Sequence, residues 1–477
     1  MKSELLILIP TYNEKENVEK ILSQIFALSL SADILFIDDN SPDGTGQLLE
    51  EMAKKNKSIF VLNRPGKKGI GSAHADGINW AYDSGYRTLI TMDCDLSHSP
   101  EYISEFILNS TKADIVVGSR YLQEKSLSTW NIFRKTLTHL GHFSTKIFLN
   151  MPYDATGAFR LYRLDRISRH FINCVSSNNY PFFFESLYVL HANKYNIVEV
   201  PINLPARVYG HSKMQLNNTF ESISRLFFIK LISIFDPERY EITDPIQPEL
   251  LGEAPVDPQD WDSYWSKNEN KSKSYIYDLI AAFYRKFIIR PALNYFILRN
   301  FNSKSKLLHA GCGSGQVDLE IGKNIRISAL DISPNALNIY KKSNKNYHKI
   351  ILGSIFNIPE DENSYDGIYN LGVMEHFSEN EIIDILKEFN RVLIPNGKIV
   401  LFWPPEYGLS VLFLKVIHFF INIIMRKNIQ LHPPEITRIK SRQQAKIFLN
   451  KAGFKLSGYS FGFRDLFTHV VVVGEKN

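Results

Sequence analysis

Short apolar runs alternate with helix-length amphipathic stretches from Leu5 to Val117, and no other feature constrains the fold as tightly. Strands are expected at Leu5–Ile9, Ile34–Ile37, Ile59–Leu62, Leu89–Met92 and Ile115–Val117. Between them Lys15–Ala27, Gly44–Lys55, Gly71–Ser84 and Glu101–Ser110 read as helices. Such alternation implies a mostly parallel sheet covered on both faces. Ligands of these sheets bind beyond the carboxyl ends of the strands, so the residues that end each strand carry the chemical information.

The first strand ends in Pro10-Thr11-Tyr12-Asn13-Glu14 and the second in Asp38-Asp39-Asn40-Ser41-Pro42-Asp43-Gly44. The third is followed by Arg64-Pro65-Gly66-Lys67-Lys68-Gly69, and the fourth by Asp93-Cys94-Asp95. Two carboxylates one residue apart make a clamp for a hard divalent cation, Mg²⁺ or Mn²⁺, which completes its shell with phosphate oxygens. At any single site capping explains the acid as well: Asp43 as an N-cap, Asp38 as a turn residue. Four sites in step along one rim ask for more. A nucleotide-sugar pocket needs an acid for the base or ribose, a metal for the diphosphate and cations for the leaving charge, and this rim offers all three.

At 477 residues the chain is too long for one core. Residues 237–260, with five prolines and many carboxylates, read as an extended acidic linker between domains at 1–236 and 261–477. Beyond the linker the alternation resumes. Lys306–Ala310 is a strand, Gly311-Cys312-Gly313-Ser314-Gly315 a turn, and a helix is expected from there through Gly322. Ile325–Leu330 follows as a strand ending on Asp331. Glycines at a strand-to-helix turn let the backbone approach a ligand, and an acid after the next strand meets a ribose hydroxyl. No Walker-type lysine appears. Asp366–Leu371 is a strand, Pro395-Asn396-Gly397 a turn before a buried strand, and Lys440–Lys451 a helix. Phe454–Phe461 and Thr468–Gly474 close the sheet.

The net charge of +5 is small for this length and does not indicate nucleic acid, but suits phosphates or an anionic membrane. Cys94, Cys174 and Cys312 form neither a disulfide framework nor a zinc spacing, which implies a reducing, cytoplasmic setting. Phe220–Phe235 and Val411–Met425 are apolar but fall short of a bilayer span. Thr219–Phe235 sets Phe220, Ile223, Leu226, Phe227, Leu231 and Ile234 beside Arg225 and Lys230, the pattern of a helix lying in a membrane interface or packed on its own domain. Val411–Lys427 reads as a cover over the second site.

The stretches IPTYNEKENV, IDDNSPDGTG, MDCDLSHSP, VVGSRY, TGAFRLYR and VPINLPARVYGHSKM, in that order, resemble a family-2 glycosyltransferase of the GT-A fold, of the dolichyl-phosphate mannose synthase type. The resemblance implies inverting, metal-dependent transfer of mannose from GDP-mannose to a polyprenyl phosphate. It implies nucleotide contacts from Pro10, Tyr12, Glu14, Ile37 and Asp39. Metal and diphosphate would lie on Asp93 and Asp95, with Cys94 contributing backbone. Arg120, Arg207 and Lys213 would face the pyrophosphate and the acceptor phosphate. Arg134-Lys135 and Arg160 are candidates for the second phosphate, Lys135 being as readily a solvated surface residue. Glu185 is either a buried partner of one of these cations or half of a structural pair.

The motifs from Leu307 to Pro404 resemble a class I S-adenosylmethionine-dependent methyltransferase, which implies a Rossmann-like second domain. Gly311, Gly313 and Gly315 would frame the methionine and ribose of the cofactor, and Asp331 would bind the ribose hydroxyls. The family's usual acid for the adenine is replaced by Gly353-Ser354, so Ser354 is left to bind the base. His376, after Glu375, is either a base for O-methylation or structural. Together these readings describe an α/β chain of two domains and a bifunctional enzyme at the cytoplasmic face of a membrane. Two alternatives stay open: a UDP-sugar donor, and a second domain that binds the cofactor without transferring methyl groups.

Overall fold

The computed structural model describes residues 3–123, 126–128, 130, 132–205, 216–242, 261, 262, 265, 275–321, 325–408 and 435–477. The chain divides into two compact units, Met1–Asp244 with Asn270–Tyr275, and Pro245–Glu269 with Ile276–Asn477.

The first unit runs β1 (Leu5–Thr11), α1 (Lys15–Ala27), β2 (Ala32–Asp38), α2 (Thr45–Lys55), β3 (Ile59–Asn63), α3 (Ile70–Asp83), β4 (Thr88–Thr91), α4 (Ile103–Asn109) and β5 (Ile115–Ser119). It continues with α5 (Ile132–Leu149), β6 (Arg160–Arg163), α6 (Pro181–Ala192), β7 (Ile197–Pro201) and α7 (Leu216–Phe235). The strand order is β3-β2-β1-β4-β6-β5-β7, parallel except for β6, which opposes both β4 and β5. β3, β2, β1 and β4 are therefore consecutive neighbours, and their carboxyl ends form one rim. The continuous apolar runs follow from burial on both faces. Leu6, Leu8, Leu35 and Ile37 pack under α3 and α6, while Ile7, Ile9, Ile34 and Phe36 pack under α1, α2 and α4.

Composition places residues 237–242 in the linker, but they fold onto the first unit. Pro237–Tyr240 form a 3₁₀ turn, Tyr240 enters the core against Tyr188, and Asn193 bonds the backbone of both Tyr240 and Ile242. One aromatic side chain outweighs the polar surroundings that suggested linker. Residues 243–260 lie outside the described residues, as does the cover expected at Val411–Lys427.

The second unit begins with α8 (Tyr275–Tyr284), a π-helical turn (Arg285–Ile289) and α9 (Arg290–Asn300). Then come β8 (Lys306–Ala310), β9 (Arg326–Asp331), α10 (Pro334–Ser343), β10 (Lys349–Leu352), β11 (Tyr365–Leu371), α11 (Glu379–Val392), β12 (Leu393–Trp403), α12 (Arg442–Lys451), β13 (Phe454–Ser460) and β14 (Val470–Lys476). The order β10-β9-β8-β11-β12-β14-β13 is parallel up to β12, and β14 runs antiparallel to both its neighbours. The helix expected after the glycine turn is not formed over 311–320, which are turns. Gly311, Gly313 and Gly315 all take positive φ (71°, 51° and 62°), a geometry that interrupts the helical ladder.

Candidate functional sites

On the first rim, β4 delivers Asp93, Cys94 and Asp95. Cys94 turns into the core, so the two carboxylates point away from it. One oxygen of Asp95 accepts from the Ser97 amide (3.1 Å) and hydroxyl (2.5 Å), which fixes the buried side chain. The Asp93 amide donates to Nδ1 of His98 (2.9 Å), closing the turn, and its carboxylate remains about a third exposed (31%). Two hard oxygen donors with an open side fit a Mg²⁺ or Mn²⁺ that takes its other ligands from phosphate and water. Among the described residues no third His, Cys, Asp or Glu joins them.

Arg120 follows β5 and is held by Asp154, whose Oδ2 accepts from its Nε (2.7 Å) and its amide (3.2 Å). Burial works against the Arg120 charge, and Asp154, Tyr121 and Asp93 outweigh it. A guanidinium fixed at one edge by Asp154 keeps its remaining N–H groups for an anion. Asp39 lies 3.1 Å from Arg64, and burial pushes its carboxyl above the usual carboxylate range against the pull of Arg64 and the Lys68 amide. Lys67 sits over the Tyr12 ring at 4.5 Å.

Not every nominated residue reaches the rim as a side chain. Asp38 accepts from Thr11 and Ser41, and Asp43 from Thr45 and Lys15, so both are turn residues, and the N-cap of α2 is Gly44 rather than Asp43. Ile37 is a core residue, and its carbonyl accepts from Thr11. Pro10 is buried, and the Glu14 carboxylate accepts from Asn17. Arg207 and Lys213 lie outside the described residues. Lys135 donates to the Ser128 carbonyl on an exposed stretch.

One expectation is corrected, and one pair of alternatives is decided. Arg160 is fully buried and donates to the carbonyls of Ala155 and Phe183 (2.8 Å each), so it builds the core and reaches no phosphate. Glu185 pairs with Arg225 of α7, both fully buried, and takes further bonds from Ser176 and Ser177. Burial raises the Glu185 carboxyl, but Arg225 and the serines hold it below its usual range. Arg225, read as one of the cations beside the aromatics of this helix, therefore faces inward. Sequence reasoning also missed Asp154 as the orienter of Arg120, since nothing local marks two residues that meet across the sheet.

In the second unit the turn after β8 is built from backbone. The Gly313 amide donates to Oδ2 of Asp331 (2.8 Å), and Oδ1 accepts from Ser333 (3.0 Å). Burial raises the Asp331 carboxyl against these amides. A Cβ on Gly315 would meet the Tyr340 ring at 2.1 Å, and one on Gly311 would meet Val373 at 2.8 Å. Asn344 donates to the Gly315 carbonyl. Such a cradle, with an acid at its lip, suits a ligand with ribose hydroxyls. Trp265 lies over Gly313, Asp262 accepts from Ser333 and Asn335 at the start of α10, and Trp261 meets His376 edge-on at 4.9 Å. Ser354 follows β10, next to β9, and bonds the Phe356 amide. Glu375 is buried, and its carboxyl is pushed up to about 8.

Family models match the two units separately. The family model for glycosyl transferase family 2 matches residues 6–170. The polyprenol monophosphomannose synthase of Mycolicibacterium smegmatis is 33% identical over 224 residues, 46% of this chain and 84% of that protein. The chain belongs to glycosyl transferase family 2. The undecaprenyl-phosphate mannosyltransferase of Micrococcus luteus is 34% identical, over 44% of this chain and 87% of that protein. This family-2 glycosyltransferase also carries a methyltransferase domain, whose family model matches residues 308–401. Solved structures similar in fold include a methyltransferase of Methanosarcina mazei (17% identity, 38% of this chain and 96% of that one, TM-score 0.31). Another is the magnesium protoporphyrin IX methyltransferase of Synechocystis (11%, 47% and 100%, TM-score 0.34).

Proposed function

We propose that the first unit transfers mannose from GDP-mannose to a polyprenyl phosphate with inversion, and that the second methylates a substrate of the same glycan or lipid pathway. The observation that carries the first half is the convergence on one rim of Asp93, Asp95 and the Asp154-held Arg120, beside Asp39, Arg64, Lys67 and Tyr12. The two named relatives are a polyprenol monophosphomannose synthase and an undecaprenyl-phosphate mannosyltransferase, and that supports the acceptor class.

The charges make a self-consistent reaction. A polyprenyl phosphate is already an anion, so no residue has to deprotonate the nucleophile. Its oxygen attacks the anomeric carbon as the bond to the diphosphate breaks, and the diphosphate leaves with the electron pair. Catalysis then consists of alignment and of stabilising the departing charge. Asp93 and Asp95 would hold a divalent cation, which neutralises diphosphate charge when bound. Arg120, with Arg207 and Lys213, contacts the phosphates. Tyr12, Asp39 and the neighbouring backbone of Pro10, Glu14 and Ile37 bind the nucleoside.

Two packed helices support action at a membrane surface. α5 exposes Ile132, Leu140, Phe143 and Ile147, and α7, which packs along it, exposes Phe220, Ile223, Phe227 and Ile234. No helix among the described residues is long and apolar enough to cross a membrane. A peripheral enzyme at the cytoplasmic face fits both facts.

In the second unit, Gly311, Gly313 and Gly315 would hold S-adenosylmethionine, Asp331 would accept from its ribose hydroxyls, and Ser354 would be available to its base. The bound cofactor supplies the methyl group. The decisive experiment is a screen of GDP- and UDP-sugars against a short polyprenyl phosphate with Mg²⁺ or Mn²⁺, alongside titration calorimetry with S-adenosylmethionine. Mannosyl transfer from GDP-mannose that stops with chelator is expected. Transfer from UDP-sugars alone would replace the donor, and no binding heat would remove methyl transfer.

A further inference from the structure

We infer that the catalytic edge of the second unit docks on an anionic bilayer, so that its methyl acceptor is a molecule held in the membrane. The inference rests on the lipid-acceptor reading of the first unit, but its evidence lies elsewhere in the chain.

The surface is assembled from two segments far apart in sequence. In the first, α8 and the π turn expose Ile280, Phe283 and Phe287, the two phenylalanines 4.8 Å apart. In the second, the connection from β13 to β14 exposes Phe461, Phe463 (83%) and Leu466, with Phe461 and Phe463 both against Phe467. The π turn packs on the short 3₁₀ turn of that connection, and Tyr284 donates to Thr468 at 2.6 Å, so the two segments form one surface. π turns are rare and concentrate at functional sites. Leu466 and Phe467 both hold left-handed backbone (φ 54° and 55°), which costs roughly 1–3 kcal/mol per residue. That conformation is maintained where a large apolar side chain is turned to solvent.

Strand register places this surface at the ligand edge of the sheet. Trp403, the last residue of β12, pairs with Val470, the first of β14. The connection before Val470 therefore sits at the carboxyl ends of the parallel strands, where Gly311 and Asp331 lie. From the other segment, Arg290 donates to the Gln316 carbonyl just beyond the glycine turn (2.9 Å).

Charge decides which partner fits. From the start of α8 to Arg290 the segment contains Arg285, Lys286 and Arg290 and one acid, Asp278. Residues 461–469 contain Arg464, exposed and stacked over Tyr295, and one acid, Asp465, which is buried and accepts from Thr468 and His469. Glu406, half-buried beside exposed Tyr407, is the carboxylate that flanks the surface from the neighbouring turn. Phenylalanines interleaved with cations, with few acids among them, suit the headgroup region of anionic lipid.

All three native cysteines are buried, so Phe463→Cys can be labelled selectively with an environment-sensitive fluorophore in the full chain. On vesicles of phosphatidylcholine and phosphatidylglycerol in equal parts the label should brighten and shift to the blue. The response should be weaker on phosphatidylcholine alone and should fall with salt. Phe283→Ser/Phe287→Ser should weaken the label's response about tenfold, while the heat of S-adenosylmethionine binding is unchanged. A silent label on vesicles that sediment with the protein overturns the inference. So does a shift that grows with protein concentration in the absence of lipid, since the surface would then seat a second copy. Sugar transfer to a short polyprenyl phosphate in detergent, measured on the same preparation, separates the two readings. Transfer with a silent label sinks only the docking surface, whereas no transfer removes the lipid-acceptor reading on which it rests.

Discussion

The two candidate sites lie in the same place, beyond the carboxyl ends of parallel strands, and are built from opposite materials. The first site is made of side chains whose charges are oriented by partners: Asp95 by Ser97, Arg120 by Asp154, Asp39 by Arg64. The second is made mostly of backbone, anchored on the single carboxylate of Asp331 and shaped by what a glycine leaves out and by Tyr340, Asn344 and Trp265 packed around the gap. A charge-built site should lose function on truncation and keep its fold, and a backbone-built site should lose function on addition.

Asp95→Ala tests the first half of that contrast with the largest effect. Sugar transfer should fall by about a thousandfold or more, because the departing diphosphate loses its charge partner. Stability should drop by only about 1–2 kcal/mol for the lost hydrogen bonds of Ser97. Affinity for S-adenosylmethionine should not change. Near-normal turnover of the purified variant would remove Asp95 from the site.

Arg225→Met sharpens the contrast from the other side, since Arg225 and Glu185 are charged but do no chemistry. Removing one member of a buried pair leaves the other uncompensated, and about 3–5 kcal/mol of the first unit's stability should go. The double variant Arg225→Met/Glu185→Leu should recover most of it. Urea unfolding measures both, and a double variant as unstable as the single one would show that the pair is not the reason.

Gly315→Ala is the additive counterpart. Its Cβ would lie 2.1 Å from the Tyr340 ring at a residue whose φ is +62°, so the turn must shift. A loss of about 1–3 kcal/mol is expected from overpacking and left-handed strain. Cofactor binding by calorimetry should fall by more than tenfold, with sugar transfer intact. Unchanged cofactor affinity would mean that this turn is not the seat of the ligand.

The strands, the Asp93–Asp95 pair and the glycine turn were legible because each is a local pattern: a run, a spacing, a turn residue. What stayed hidden depends on meetings across the fold. The sequence of α7 shows Arg225 beside aromatics, and only packing reveals that the cation is inside with Glu185 while Phe220 and Phe227 are outside. Asp154 lies 34 residues from Arg120, and Trp265 reaches Gly313 from the start of the second domain, just past the linker. The helix expected after Gly315 gives way to single turns, in which the Asp318 amide donates to the Gly315 carbonyl and the Ile321 amide to the Asp318 carbonyl.

Glu375 gives the effect that depends most on pH, and the most direct test of whether a second carboxylate matters at the second site. Burial pushes its carboxyl from the usual 4.5 up to about 8, with Glu435 adding to the rise and Arg438 opposing it. Nε2 of His376 is 3.9 Å away. The folded unit thus favours the neutral acid. Its contribution to stability is fully present below about pH 4.5, declines as pH rises towards 8, and then levels off. Glu375→Gln removes the titration, so the variant should gain on the wild type across that window by up to about 1.4 kcal/mol per pH unit. Calorimetry of the second unit's transition between pH 5 and 8 (the span from about 4.5 to about 8 in which the shift acts) reads the difference. A constant gap would mean that Glu375 is ionised throughout and paired with His376 or Arg438. The catalytic edge would then resemble the first site, and the contrast between the units would narrow to their glycines.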